Sequence, residues 1–341
     1  MTLFKNGPTP GRTRRQAAAL ALTAFGVAAA MLGLTAGAAQ AQSWPQKPVT
    51  VIVPFPAGGG TDTFARPLAA QLETQLGQRF IIDNRGGAGG TVGASAAAKA
   101  APDGYTVFIG AAHHAIAPAL YPKLDYDIEK DFVPIGMISR PPQVIVVNPD
   151  KVQAKTLAEF IAQAKANPGK MNFASAGNGT THHLAGELFL LLSGTKIVHV
   201  PYRGAGPALQ DLLAGHVDVM FDGLGSSAAQ ITGGKLRALA LAAPVRSPTV
   251  PDVPTAAEAG LAGYEVATWY ALWAPKGTPA DIVTRMREEL RKALGSELIR
   301  TTWAKTGSDI PDVMGDAFQP FLASEVARWG KVAKDANVKL D

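Results

Sequence analysis

The chain has 341 residues, 32 Lys and Arg against 27 Asp and Glu for a formal net charge of +5, and no cysteine. Without a thiol, disulfides, thiolate metal sites and lipid attachment at a cysteine are excluded. The length exceeds what one hydrophobic core usually supports, so two domains are expected.

The first 41 residues read as a secretory signal. Lys5, Arg12, Arg14 and Arg15 precede an Ala/Leu-rich stretch from Ala17 to about Ala38. Ala39-Gln40-Ala41 then offers the small residues of a cleavage site, placing the mature start at Gln42. The alternative is an uncleaved anchor, because the stretch approaches bilayer-spanning length. Its Ala/Gly richness and its terminal triplet favour removal. Arg14-Arg15 hints at twin-arginine export, but no Phe-Leu follows, so the route stays open. Without the four basic residues of this segment, 28 basic residues face 27 acidic ones and no long basic run remains. Nucleic acid is therefore not an expected partner. No later stretch is long enough to span a membrane without a charge or a proline. The expectation is a soluble protein exported to the periplasm.

Beyond the signal, β-branched runs at 49–54, 79–83, 105–110, 144–147, 171–174, 197–200, 217–222 and 236–241 alternate with helical periods. The helices are expected at 61–76, 91–100, 156–166, 180–193, 206–214 and 278–294. This alternation predicts parallel βαβ units in an α/β sheet. Strands without polar alternation suit a sheet covered on both faces. Two Pro- and Gly-rich passages, 139–143 and 243–275, suggest that the chain crosses to a second domain and returns.

Four glycine clusters stand at strand-to-helix junctions. In "VIVPFPAGGGTDTFARPLA", residues 51–69, Gly58, Gly59 and Gly60 precede a helix for which Thr61 is the expected N-cap. The others are "DNRGGAGGTVGASAAAKA", "FASAGNGTTHHLAGELF" and "VPYRGAGPALQDLL". A helix N-terminus attracts anions through its orphan N–H groups and its dipole. The first cluster is no P-loop, since no Lys-Ser or Lys-Thr follows its glycines. The second misses the dinucleotide pattern because Val92 occupies the last glycine position. Four such junctions suggest helix termini converging on one cleft at the carboxyl ends of the strands.

Catalytic signatures are weak. Neither G-x-S-x-G nor H-E-x-x-H occurs. His183 and Glu187, four apart, would share a helix face, but a surface pair is commoner than a metal site. The doublets His113-His114 and His182-His183 are poor chelates, because adjacent helical residues face different ways. Nothing in the spacing of Ser175, Asp222 and Ser226 requires a triad.

The segments "VPFPAGGGTDTFARPLAAQL", "DNRGGAGGTVGASAAAKAAPDGYT", "YDIEKDFVPI", "NPGKMNFASAGNGTTHHLAGELF", "HVPYRGAGPALQDLLAGHVDVMF", "GKLRALAL" and "PDVPTAAEAG" follow one another in this order. From about Trp44 onward the chain resembles the extracytoplasmic solute receptors of tripartite tricarboxylate transporters, the Bug family. The resemblance implies a type II periplasmic binding-protein fold, two α/β lobes with a ligand cleft between them. It divides the chain into lobe 1, residues 42–143 plus 266–341, and lobe 2, residues 144–265. It implies a small organic acid held by backbone amides, delivery to integral-membrane permease subunits, no cofactor, no catalysis and a monomer.

Carried over, the ligand contacts of lobe 1 are Phe55 and the loop Ala57–Asp62 (Ala57, Gly58, Gly59, Gly60, Thr61 and Asp62), with Ala112 and His113 after Gly110. Those of lobe 2 are Ala176, Gly177, Asn178, Gly179, Thr180, Tyr202, Gly204, Ala205 and Asp222. Thr180 stands where the family more often has serine. His183 matches a family histidine and is expected to pack the helix start. His113, His114 and His182 have no fixed counterpart, which leaves the ligand open. A ligand-presenting sensor partner of a membrane signalling receptor is the alternative role, and a metal-dependent hydrolase is a third.

Overall fold

A computed structural model of the chain describes residues 1–3, 44–335 and 338. The expected signal segment and its cleavage point lie outside the described residues, apart from residues 1–3. The chain falls into two compact units, Met1–Gln46 and Lys47–Asp341. Every helix and strand named below belongs to the second unit.

Among the described residues, ten strands build two five-stranded sheets. They are β1 (Val49–Val53), β2 (Phe80–Asn84), β3 (Thr106–Ala111), β4 (Phe132–Ser139), β5 (Gln143–Val147), β6 (Asn172–Ser175), β7 (Val198–Pro201), β8 (Val219–Gly223), β9 (Arg237–Leu241) and β10 (Tyr270–Pro275). The helices are α1 (Gly60–Leu76), α2 (Thr91–Ala98), α3 (His113–Leu120), α4 (Leu157–Ala166), α5 (Thr181–Ser193), α6 (Ala205–Leu213), α7 (Leu224–Thr232), α8 (Ala280–Leu294), α9 (Glu297–Lys305) and α10 (Phe318–Asp335). The first sheet has the order β2-β1-β3-β10-β4 and the second β7-β6-β8-β5-β9.

The α/β expectation holds, but the sheets are mixed where parallel ones were expected. β1 pairs in parallel with β2 and β3, and β6 with β7 and β8. β10 runs antiparallel to β3 and β4, and β5 antiparallel to β8 and β9. The reason lies in the route of the chain. β4 leads directly into β5 of the other sheet, and the passage after β9 leads back into β10. A strand arriving from the opposite lobe enters its sheet from the wrong end for parallel pairing. The two crossing passages touch at an antiparallel bridge between Pro142 and Ala267.

The sequence makes these elements for local reasons. β5 (QVIVV), β8 (VMFDG) and β10 (YALWAP) are buried at every position, as strands covered on both faces must be. α4 starts with a capping box in which Thr156 accepts from the Glu159 N–H while the Glu159 carboxylate reaches back. Phe108, Trp269, Trp273 and Phe318 pack in the first lobe, and Phe160, Phe173, Phe189 and Phe221 in the second. β4, β10, α3, α7, α9 and α10 were not anticipated as elements. Pro118 inside α3 and Pro134 with Gly136 inside β4 break the patterns by which such segments are recognised.

Candidate ligand-binding cleft

Four helices, α1 and α3 from the first lobe and α5 and α6 from the second, begin within two residues of the carboxyl end of a strand or just beyond a short glycine loop. Their N-termini meet between the lobes. Phe55, Gly59, Gly60, Thr61, His113 and Tyr270 form one wall of the inner cleft, and Ala176, Thr181, His182 and Ala205 the other. Outside it, a cavity of about 310 Å³ is lined by Phe55, Gly87, Ala88, Gly89, Tyr121, Gly177, Asn178, Pro201, Tyr202 and Arg203.

The lobes approach each other through backbone. A Cβ on Gly206 would stand 2.5 Å from the Ala57 carbonyl oxygen, and one on Gly59 would stand 3.3 Å from Ala205 Cβ. Nearer the mouth, the Tyr121 hydroxyl donates to the Asn178 carbonyl at 3.0 Å. A Cβ on Gly89, whose φ is +61°, would come 2.7 Å from that same carbonyl. These glycines permit a close approach that any side chain would prevent.

The first loop departs from expectation at its cap. Gly59 occupies the N-cap position of α1 and the helix begins at Gly60, so Thr61 lies inside the first turn and caps nothing. The acceptor that organises the turn is Asp62. Its Oδ2 accepts from the Gly58 N–H at 3.1 Å and from Arg66 Nε at 2.8 Å, and its Oδ1 from Asn84 Nδ2 at 3.1 Å. Asn84 also donates to the Phe55 carbonyl at 2.8 Å. The Asp62 carboxylate is therefore committed to the shape of the loop. Thr180, in contrast, caps α5. Its hydroxyl donates to the Gly177 carbonyl at 2.8 Å and accepts from the His183 N–H. Thr180→Ala should cost about 0.5–2 kcal/mol of stability through the lost cap, and Thr61→Ala less than half of that. Chemical denaturation of both variants measures the order, and equal losses would refute this assignment of the caps.

The remaining expected residues divide by place. Ala176, Ala205 and His113 reach the inner cleft, and Gly177, Asn178 and Tyr202 line the outer cavity. Ala57 and Gly58 are exposed at the lobe-to-lobe contact. Ala112 is buried beneath the start of α3, its N–H bonded to the Trp269 carbonyl. Gly204, with φ +151°, precedes α6 against Pro56. The Tyr202 hydroxyl donates to Asp211 at 2.6 Å, and its pKa is pushed up to about 12 by burial and that bond. Sequence reasoning missed Thr181 and Tyr270 on the inner wall. Gly60, part of the expected loop, faces Tyr270, and a Cβ there would overlap the Tyr270 hydroxyl.

The histidines separate sharply. His114 is internal: its Nδ1 lies 3.0 Å from both the amide and the carbonyl of Ala111, and burial lowers its pKa to about 4. His183 stacks on His199 at 4.0 Å and its Nδ1 accepts from the Gly179 N–H, which agrees with packing of the helix start. His182 donates from Nε2 to Asp222 Oδ1 at 3.0 Å. Asp222 Oδ2 accepts from Ser226 and Ser227 at 2.8 and 2.7 Å. Asp222 thus stands behind His182 and sets its ring. Ser226 and Ser227 bond to the carboxylate and neither to the His182 imidazole, while Ser175 lies apart from this trio with its hydroxyl 2.6 Å from His199 Nε2.

The comparisons with known proteins agree with this architecture. Residues 64–338 match the tripartite tricarboxylate transporter family receptor model. Among solved structures, the periplasmic binding protein BugD is 36% identical with a TM-score of 0.84, over 87% of this chain and 99% of that one. An R. palustris protein solved with adipate is 38% identical with a TM-score of 0.84, over 87% and 99%. MatC from Rhodopseudomonas palustris with bound malate is 38% identical with a TM-score of 0.80, over 85% and 99%. These are solute-binding proteins, not enzymes, and they share the two-lobed fold built above. The chain belongs to the receptor family of the tripartite tricarboxylate transporters, whose members are periplasmic solute-binding proteins.

Proposed function

We propose that this receptor captures a small organic carboxylate in the inner cleft and delivers it to integral-membrane permease subunits of the tripartite tricarboxylate type. One observation carries the reading: the N-termini of α1, α3, α5 and α6 converge there, two from each lobe. First-turn N–H groups have no intrahelical acceptor, and the four helix dipoles present their positive ends together. An anion is the ligand that such a place accepts without a buried cation. The adipate- and malate-bound relatives support a carboxylate in particular.

The proposed lobes are 42–143 with 266–341, and 144–265. This division follows the sheets, since β1 to β4 and β10 belong to one and β5 to β9 to the other. In this reading Phe55, Gly59, Thr61, His113, Ala176 and Ala205 surround the acid. Gly177, Asn178 and Tyr202 guard the mouth, and the loops of Ala57, Gly58, Asp62, Ala112, Thr180 and Gly204 hold the frame. The inner cleft as it stands has about 10 Å³ of free space, enough for one water. Ligand entry therefore requires the lobes to part and reclose about the crossing passages. The mature receptor acts as a monomer in the periplasm.

Thermal unfolding with a panel of acids tests the reading. A true ligand at a hundred times its Kd adds about 2.7 kcal/mol of stability, so the midpoint should rise by several degrees with carboxylates and not with their amides. Equal response to acids and amides, or to neither, would refute it.

A further inference from the structure

Both ring nitrogens of His113, together with Thr181 Oγ1 and His182 Nδ1, are buried and have no hydrogen-bond partner among the described residues. All three residues line the inner cleft and are at least 94% buried. They come from both lobes, His113 from the first turn of α3 and Thr181 and His182 from the first turn of α5. Native proteins seldom leave such atoms unpaired, so this group points to a ligand.

The protonation of His113 says what kind. Burial drives its pKa well below the ordinary histidine value, and nearby His114 and His182 lower it further. A neutral imidazole carries one N–H donor and one bare nitrogen acceptor. A carboxylate satisfies only donors. The bare nitrogen needs a ligand hydrogen, and hydroxyl or ammonium would supply it. Four converging helix N-termini disfavour a cation, and the carboxylates beside the cleft are engaged, Asp222 by His182, Ser226 and Ser227 and Asp62 by Gly58, Arg66 and Asn84. A hydroxyl remains. It gives its hydrogen to one imidazole nitrogen and accepts from Thr181 or from an N–H.

Resting on the carboxylate reading above, we propose that this receptor selects hydroxy acids, the inner cleft using His113, with Thr181 and His182, to recognise a hydroxyl group beside the carboxylate. Phe55 and His114 hold the His113 ring edge-on and tilted, each with its centroid 4.6 Å away, so the ring keeps its orientation without a polar anchor. The recognition is a matter of matched hydrogen bonds, and an acid without the hydroxyl leaves the histidine nitrogen buried and unpaired.

The test is titration calorimetry of the purified protein with acids that differ in one group: malate, succinate and aspartate, then lactate, propionate and alanine. The hydroxy acid of at least one series should bind about tenfold to a hundredfold more tightly than its deoxy counterpart, the loss expected for one orphaned buried acceptor. In His113→Phe, which keeps the ring and its neighbours, that ratio should fall toward one. A thermal midpoint close to the parent's shows that the variant folds. His113→Gln, which restores a donor and an acceptor, should recover part of the ratio, a result that simple ring packing would not give. Equal binding of hydroxy and deoxy acids, a preference for the amino acid, or an unchanged ratio in His113→Phe overturns the hydroxyl assignment while leaving the carboxylate reading intact. Failure of all six acids to bind overturns both.

Discussion

Gly206→Ala should weaken ligand binding about tenfold to a hundredfold and leave the fold intact. Gly206 lies in the first turn of α6 with ordinary helical geometry, where alanine is the better helix former by up to about 1 kcal/mol. What the methyl meets is the other lobe: the Ala57 carbonyl oxygen at 2.5 Å, the Gly58 carbonyl carbon at 3.3 Å and the Gly59 amide nitrogen at 3.4 Å. All three are backbone atoms, which cannot turn aside as a flexible side chain would. Closing the cleft then requires displacement of the glycine loop, at about the 1–3 kcal/mol of an overpacked core site. That cost falls on the closed state alone, and a ligand that binds the closed state pays it in affinity. Gly330→Ala provides the control. Its Cβ meets nothing within 4 Å, so α10 should gain helix propensity with no change in binding. Calorimetry on both variants, with scattering to follow compaction, decides the matter. Parent-like affinity in Gly206→Ala would mean that the ligand is held without this lobe-to-lobe contact.

The parts of the fold legible in sequence are those governed by neighbours in sequence. The glycine junctions and the β-branched runs of β1, β3 and β5 each depend on a few consecutive residues. The Thr61 cap failed within that range, because a glycine at the cap and an acid at the third helical position can replace a capping hydroxyl, and both patterns were present. The parallel pairings of β1 with β2 and β3 and of β6 with β7 and β8 were legible, but the antiparallel direction of β5 and β10 was not. It follows from the lobe a strand arrives from, which depends on a crossing and not on composition. The cleft was legible as a set of loops, but the long-range pairings behind its inner wall were not. Asp222 and His182 are 40 residues apart, on β8 and α5, and pair only because α5 packs on the second sheet. Tyr270 reaches Gly60 only because β10 returns from the second lobe. The family resemblance supplied Asp222, and the structure assigns it the place behind a histidine for which the resemblance offered no counterpart.

That pairing makes Asp222→Ala the substitution with the largest expected effect on stability, a loss of about 2–4 kcal/mol. The carboxylate is fully buried and accepts from three side chains, Ser226, Ser227 and His182. Removing it does not orphan all three equally. Both serines also lie within reach of the Gly223 carbonyl, at 2.9 and 3.3 Å, so that one oxygen takes over part of their demand. His182 Nε2 has no such alternative among the described residues, and an unsatisfied buried donor costs about 1–3 kcal/mol. The second serine and the space left behind the ring account for the remainder. For a chain of this size the loss lowers the thermal midpoint by roughly 5–10 °C. Asp222→Asn separates charge from connection. The amide oxygen still accepts from the serines, while its NH2 faces His182 Nε2 and makes that nitrogen the acceptor, which moves the ring hydrogen to Nδ1. The asparagine variant should therefore stay within about 1 kcal/mol of the parent, since its hydrogen bonds are re-made, and yet fix a ring N–H donor on Nδ1 toward the cleft. Its affinity for simple carboxylates should rise relative to hydroxy acids. Denaturant unfolding of the two variants, with calorimetry on the second, measures both expectations. An alanine variant as stable as the parent would show that the buried carboxylate holds nothing together.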